Sequence, residues 1–374
     1  MNEKLAKHAR KSESKGKREA MVELAKLEPG IARLPEDFDT DPYLLNVENG
    51  TLDLRSMKLN KHNREDLITK LAPVKYLPES DCPQWLRFLN QVFEENTRVI
   101  SFLQRAIGWS LTGALKDQLF FILYGIGANG KSTFLNTITS MLGDYARNTP
   151  PETLLSGDRY SIPADVARLR GSRFVTSVET EEGKSMAESL IKQLTGEDMI
   201  TARFLYANFF EFKPQFKLFL ATNHMPEIKG NDYAIWRRIA LIPFNVIIPP
   251  KEQDRQLSQK LLNELSGILN WATEGCMDWQ QTGLKIPKEV RKATQEYRND
   301  LDTIKHFIDE CTTGQDSYKG TSAASIYGAY LDWCVDNGER GKSQREFGMK
   351  LTEKGYERKK KNSGIHYQGI ALKR

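Results

Sequence analysis

The chain has 374 residues, with 54 Lys+Arg against 49 Asp+Glu and 39% hydrophobic content, which fits two or three folded units and excludes a disordered chain. Its longest apolar stretch, Ile239 to Ile248, is broken by Pro243 and Asn245 and falls short of the ~20 residues a bilayer-spanning helix needs, so no membrane partner is expected. Cys82, Cys276, Cys311 and Cys334 lie far apart with no CxxC pair, which argues for reduced thiols in a cytoplasm and against a zinc site.

Residues 1–37 are charged and weakly patterned, a basic tail or connector in which Met21, Val22, Leu24 and Leu27 make at most one short helix. Residues 38–116 begin with short strand-like pieces around Tyr43–Leu45 and Leu52–Leu54, separated by the hairpin signal Asn49-Gly50. From Pro83 the period becomes helical, with Trp85, Leu86, Leu89, Val92 and Phe93, then Val99, Ile100, Leu103 and Ile107. Within 117–250, the apolar runs Leu119–Tyr124, Phe174–Val178 and Lys217–Ala221 alternate with helical patterns. That alternation predicts an α/β core with a mostly parallel sheet. Residues 251–311 return to helical stripes, and 312–321, with Gly314 and Gly320, read as a linker.

The last unit, 321–374, carries the basic surplus. Asn337 to Arg374 alone sums to +7, whereas the whole chain is only +5. Ile326, Tyr327, Tyr330 and Trp333 form one helix face, and Ser343-Gln-Arg-Glu346 is a capping box opening a second helix. That helix turns Arg345, Lys350 and Lys354 outward. Tyr356–Lys359 and Ile365–Gln368, joined by Lys360, Lys361 and the turn to Gly364, read as a basic hairpin wing. The pattern predicts a winged-helix domain that holds duplex DNA through Arg345, Lys350, Lys359, Lys360 and Lys361.

Gly125-Ile126-Gly127-Ala128-Asn129-Gly130-Lys131-Ser132 fits G-x-x-x-x-G-K-[ST], follows a strand and, with Thr133, opens a helix. Such a loop wraps backbone N–H groups round a triphosphate, with Lys131 on the β/γ-phosphates and Ser132 on Mg²⁺. Hydrolysis also needs a carboxylate near the metal. Glu179 ends the Phe174 strand, and Glu181 or Glu182 shares that role. Asn223 follows the third strand, where it can hydrogen-bond the attacking water or the γ-phosphate. Arg237 and Arg238 precede the Ile239 strand.

These residues, with the strings Gly127–Thr133, Leu194–Gly196, Phe212–Pro214, Ala221–His224 and Trp236–Arg238, resemble the core of a superfamily 3 helicase. More narrowly, the chain resembles the phage/plasmid primase-helicase family related to poxvirus D5-like NTPases. Leu44–Leu54 and Leu103–Trp109 resemble that family's N-terminal collar. The resemblance implies an AAA+-like ATPase with a helical collar, acting as a homo-hexamer on DNA with ATP and Mg²⁺. In it Glu179 polarises water or holds the metal, Asn223 senses the γ-phosphate, and one of the Arg237/Arg238 pair reaches the neighbour's nucleotide. The stretch Met199–Pro214 corresponds to the family's DNA-contacting hairpin, with Arg203 on phosphate and Tyr206 on bases. Residues 1–37 are too few to fold a primase domain, so primer synthesis is not expected.

The expected function is therefore ATP-dependent unwinding during replication of a mobile element. Alternatives are a DNA-dependent ATPase that remodels a replication complex without unwinding, and a nucleotide-gated DNA-binding regulator. A small-molecule kinase is disfavoured by the basic terminal module and the paired arginines.

Overall fold

Strands buried on both faces read as continuous apolar runs, and four such segments align in parallel at the centre of this protein, with one short edge strand beside them. They are β1 (Phe120–Tyr124), β2 (Ala146–Asn148), β3 (Phe174–Glu179), β4 (Lys217–Thr222) and β5 (Ile239–Pro243), in the order β5-β1-β4-β3-β2. The computed structural model describes residues 3–156, 163–179, 181, 183–228, 233–313, 320–339 and 341–373. The register sets Thr222 level with Tyr124 on one side and Glu179 on the other, so three strand ends meet at one sheet edge.

Alternation along the strands divides the apolar residues between two layers. Phe121, Leu123, Phe219 and Ala221 face a cluster that includes the helices Pro83–Val92, Thr97–Leu111 and Leu265–Thr282. Phe120, Ile122, Leu218 and Leu220 face a second cluster with Ile191, Leu194, Ile235 and Tyr297. Helices Thr97–Leu111 and Leu265–Thr282 cross in backbone contact, because a Cβ at Gly108 would collide with Cys276 N and one at Gly275 with Gln104 O. Trp85, Phe102, Ile107 and Trp109 are buried in this cluster. Most of the apolar side chains of these helices are thus packed within the chain, while Leu86 is exposed.

The N-terminal lobe is an antiparallel meander, Leu44–Val47, Gly50–Asp53 and Lys58–Asn60. Two buried cations at the far edge of the sheet fasten it. Arg173 donates to Leu111 O at 2.6 Å and Leu44 O at 2.7 Å, and Lys217 Nζ donates to Thr112 O at 2.5 Å. Burial drives the Lys217 amine well below its ordinary pKa.

A third cluster holds Ile326, Tyr330, Trp333, Phe347, Leu351 and Tyr367, and it includes Ile304 and Phe307. The helix Thr303–Cys311 thus packs with the C-terminal unit. Its hairpin pairs Arg358–Lys361 with Gly364–Tyr367, Lys361 opposite Gly364. Lys360 and Lys361, expected in the connecting loop, are strand residues, and only Asn362 and Ser363 make the turn. Residues 3–12 and 15–25 form two helices with no buried residue, one more than the sequence suggested. All four cysteines are free, and Cys82, Cys276 and Cys334 are buried. Among the described residues no helix is long and apolar enough to cross a membrane.

Candidate functional site

The glycine-rich loop leaves β1 at Gly125 and enters the helix Lys131–Leu142 at Gly130, whose φ of +85° a residue with a side chain would resist. Gly125 is required for a different reason: a Cβ there would strike the Asn129 amide and the Phe244 carbonyl. Asn129 is buried and donates from Nδ2 to Phe244 O at 3.0 Å, which pins the loop to the end of β5.

Lys131 is 6% exposed, and its three N–H groups meet three neutral oxygens. It donates to Gly125 O at 2.5 Å, Asn129 Oδ1 at 3.1 Å and Asn223 Oδ1 at 3.1 Å. Among the described residues no carboxylate pairs with it, so desolvation lowers its pKa to about 8. The ammonium is parked on acceptors that an anion can replace.

Glu179 is buried at the end of β3, and its Oε1 accepts from Glu181 N–H at 2.6 Å. Glu181 instead turns outward to Lys184 at 2.9 Å, and that pairing holds its carboxyl below the ordinary range. Glu182 lies outside the described residues. Asn223 is oriented by a tight turn in which Thr222 Oγ1 donates to His224 O and accepts from His224 N–H. Residues 127–133, Val178, Glu179, Thr222 and Asn223 line one cavity of about 290 Å³. The sequence-selected Lys131, Ser132, Glu179 and Asn223 therefore meet, together with the loop residues from Gly127 to Thr133. The role of Asn129 as a tether was missed, since the motif treats its position as variable.

Arg237 and Arg238 lie elsewhere. Arg238 O accepts from Phe120 N–H at 2.6 Å, at the start of β1, roughly 16 Å along the strand from the loop. Arg238 is buried and donates to Ala234 O at 2.7 Å and Gln118 Oε1 at 3.1 Å, whereas Arg237 is exposed.

The stretch expected to be a hairpin is one: Ile200–Ala202 pairs antiparallel with Phe210–Phe212. Its tip exposes Leu205 (73%), Tyr206 (106%) and Phe209 (62%), with the Arg203 guanidinium 4.9 Å from the Phe209 ring. Leu205 and Phe209 were not singled out from sequence, and only their exposure identifies them.

In the C-terminal unit Arg345 and Arg358 are exposed and line one groove of about 600 Å³ between helix and hairpin. Lys350 pairs with Glu353 at 2.7 Å, Lys354 with Asp302, and Lys359 with Glu357 at 3.2 Å. Lys360 is exposed and Lys361 half-buried. Lys354 thus serves the packing of this unit. Arg358, left out of the sequence selection, faces the groove in its place.

Residues 1–94 match the family described as D5 N terminal like, and residues 123–238 match a family of unknown function, DUF5906. A protein of Acanthamoeba polyphaga mimivirus named as a helicase is 28% identical, over 80% of this chain and 34% of its own length. A helicase-named protein of Frog virus 3 is 27% identical over 85% of this chain and 33% of its own. A primase-named protein of African swine fever virus is 22% identical over 80% of this chain and 34% of its own. The chain thus spans about a third of the length of these relatives. Among solved structures, the apo C-terminal region of NrS-1 shares the fold, with a TM-score of 0.55 at 13% identity over 95% of this chain and 90% of that one.

Proposed function

This chain belongs to the D5-like family of superfamily 3 helicases and primases, and from that premise we propose that it is an ATP-dependent DNA helicase moving on single-stranded DNA during replication of a mobile element. One observation carries the reading: Lys131 is held by the strand-end Asn223 in the cavity that Glu179 also lines.

In this proposal the γ-phosphate draws Lys131 off its neutral acceptors, and Asn223, released by the same event, hydrogen-bonds the phosphate. Glu179 orients the attacking water and takes its proton. Ser132 and Glu179 offer hard oxygen donors to one cavity, a set that fits Mg²⁺, which uses one or two protein ligands and keeps water and phosphate oxygens for the rest. That ion, when bound, neutralises charge on the phosphate oxygens. Arg237 supplies the remaining cation to a neighbour's site in a homo-hexamer.

The proposed division is a basic connector (1–37), a lobe and helical collar (38–116), the ATPase core (117–250), a helical segment to about 302, and a winged-helix DNA-binding domain after it. ATPase assays with and without single-stranded DNA, then strand displacement on 3′- and 5′-tailed forks, test the proposal. DNA-stimulated turnover with displacement is expected. Stimulation without displacement would favour the remodelling ATPase, and turnover indifferent to DNA would end the helicase reading.

A further inference from the structure

On the sheet edge opposite the phosphate loop lies a larger groove of about 1090 Å³. Its wall is assembled from three places: the N-terminal lobe, the segments leading into β2 to β4, and the base of the 200–212 hairpin. Arg33, Lys70, Arg147, Arg168, Arg170 and Lys213 line it, against only Glu36, Asp39 and Glu211. Across the chain the two signs nearly balance, so this two-to-one excess is local.

The cations are poorly neutralised. Among the described residues no carboxylate forms an ion pair with Arg147, Arg168 or Arg170, and Asp39 accepts from Thr69 N–H at 2.9 Å and from the Thr69 hydroxyl. Lys70 lies across Gly171, where a Cβ would meet its Cε at 2.8 Å. Lys213 pairs with Glu197 at 3.6 Å and Arg147 donates to Ala146 O at 3.2 Å, but crowded cations left without a carboxylate cost folding energy, which an incoming polyanion recovers. Aromatic surface stands beside them: Phe204, 46% exposed, stacks on Phe210 at 5.4 Å, and Arg170 covers the Phe210 ring at 5.3 Å. Cations tracking a backbone, with aromatic faces for unpaired bases, are what single-stranded nucleic acid requires.

We propose that this groove is a second single-stranded DNA site, which holds the phosphate backbone through Arg147, Arg168 and Arg170 and leads the strand to the base of the hairpin. The site rests on the helicase reading for its ligand, but not on the phosphate loop for its geometry. No residue assigned above to triphosphate, metal or the C-terminal unit lines it.

The test is the affinity of the full chain for a fluorescein-labelled oligothymidylate, measured by anisotropy across a salt series. Arg147→Ala/Arg168→Ala changes two exposed side chains, and Arg168→Glu alone reverses a charge. Each lost phosphate contact lowers the slope of log affinity against log salt by ~0.7. The double variant should lose ~1.4 from the slope, and Arg168→Glu should bind more weakly still at low salt, with DNA-free ATPase unchanged in both. An unchanged slope in a wild-type background that does bind and respond to the oligonucleotide would overturn the groove alone. Wild-type protein with no affinity for the strand would overturn both the groove and the helicase reading. A loss seen only with blunt duplex would also overturn the groove, since stacking on Phe204 needs unpaired bases.

Discussion

Lys131 Nζ and Asn223 Oδ1 lie 3.1 Å apart, joining the glycine-rich loop to the end of β4. The contact bridges adjacent strands, because β1 and β4 pair directly and end level at Tyr124 and Thr222. In the proposed function, occupancy of the loop and the orientation of Asn223 are therefore one event. Lys131→Ala should abolish hydrolysis while leaving the fold intact. Asn223→Ala should retain nucleotide affinity within a few-fold yet lose most of its turnover, as equilibrium binding and steady-state assays will show. Equal turnover in Asn223→Ala and wild type would separate the two residues.

The burial that lowers Lys131 to about 8 gives a pH dependence of known sign. Between about 8 and the ~10.4 of an unfolded lysine, the unfolded chain binds more protons, so stability without ligand rises with pH across that window. Triphosphate favours the charged amine, so binding takes up a proton there and affinity falls by up to ~10-fold per pH unit above about 8. Calorimetric titration of a non-hydrolysable analogue in two buffers of different ionisation enthalpy measures that proton directly. Proton release, or none at pH 8.5, would contradict the assignment.

The two described carboxylates are distinguished by their neighbours. Glu179 is buried in the cavity, while Glu181 gives only its backbone N–H to Glu179 and commits its side chain to Lys184. Glu179→Gln should bind nucleotide normally and lose ~10²-fold or more in turnover, in the range of a lost general base. Glu181→Gln should stay within about two-fold, because its pair with Lys184 is exposed and screened by solvent. The reverse ranking would move the role to Glu181.

Much of this site was legible because the phosphate loop is a local motif: glycine positions, the preceding strand and the following helix all lie within Phe120 to Leu142. The strand ends at Glu179 and Asn223 were readable for the same reason. What the sequence withheld is tertiary. The order β5-β1-β4-β3-β2 depends on crossovers, and β2 is a three-residue edge strand with one buried residue, too short for any period. Lys217 reads as the polar start of a strand, yet its amine is buried 5.0 Å from the Trp109 ring. The helix Glu3–Ser12 has no buried face, so no apolar stripe announced it. The choice between Arg237 and Arg238 was likewise a matter of packing.

That packing sets the subunit-mixing experiment. Arg237 is the exposed member of the pair, so Arg237→Ala and Lys131→Ala, each inactive, should recover part of their ATPase when mixed. An arginine supplied in trans is worth ~10³-fold or more in turnover, which sets the expected deficit. Arg238→Ala should instead lower the melting temperature, since it removes bonds to Ala234 and Gln118 in a buried position. No recovery with Arg237→Ala, in a protein that light scattering finds monomeric with ATP and DNA, would remove the ring from the proposal.

The last prediction concerns where the C-terminal unit begins. Ile304 and Phe307 are 1% and 0% exposed and pack on Tyr330, Trp333 and Phe347, with ring contacts from Phe307 to all three. Lys354 closes the same unit onto Asp302, whose carboxylate also caps the helix at Lys305 N–H. Deleting residues 321–374 strips the cover from Ile304 and Phe307, each worth ~1.5–3 kcal/mol when buried. That truncation should self-associate and melt early. Deletion of 302–374 removes the cluster whole, leaves Tyr297 bonded to Pro226 O in the second layer, and should keep both its melting transition and its DNA-free ATPase. Both truncations should lose salt-dependent affinity for duplex, the role proposed for Arg345, Arg358 and Lys360, all exposed. Thermal melts and light scattering on the two proteins decide the matter: if removing 321–374 is as well tolerated as removing 302–374, the helix Thr303–Cys311 belongs to the preceding segment after all.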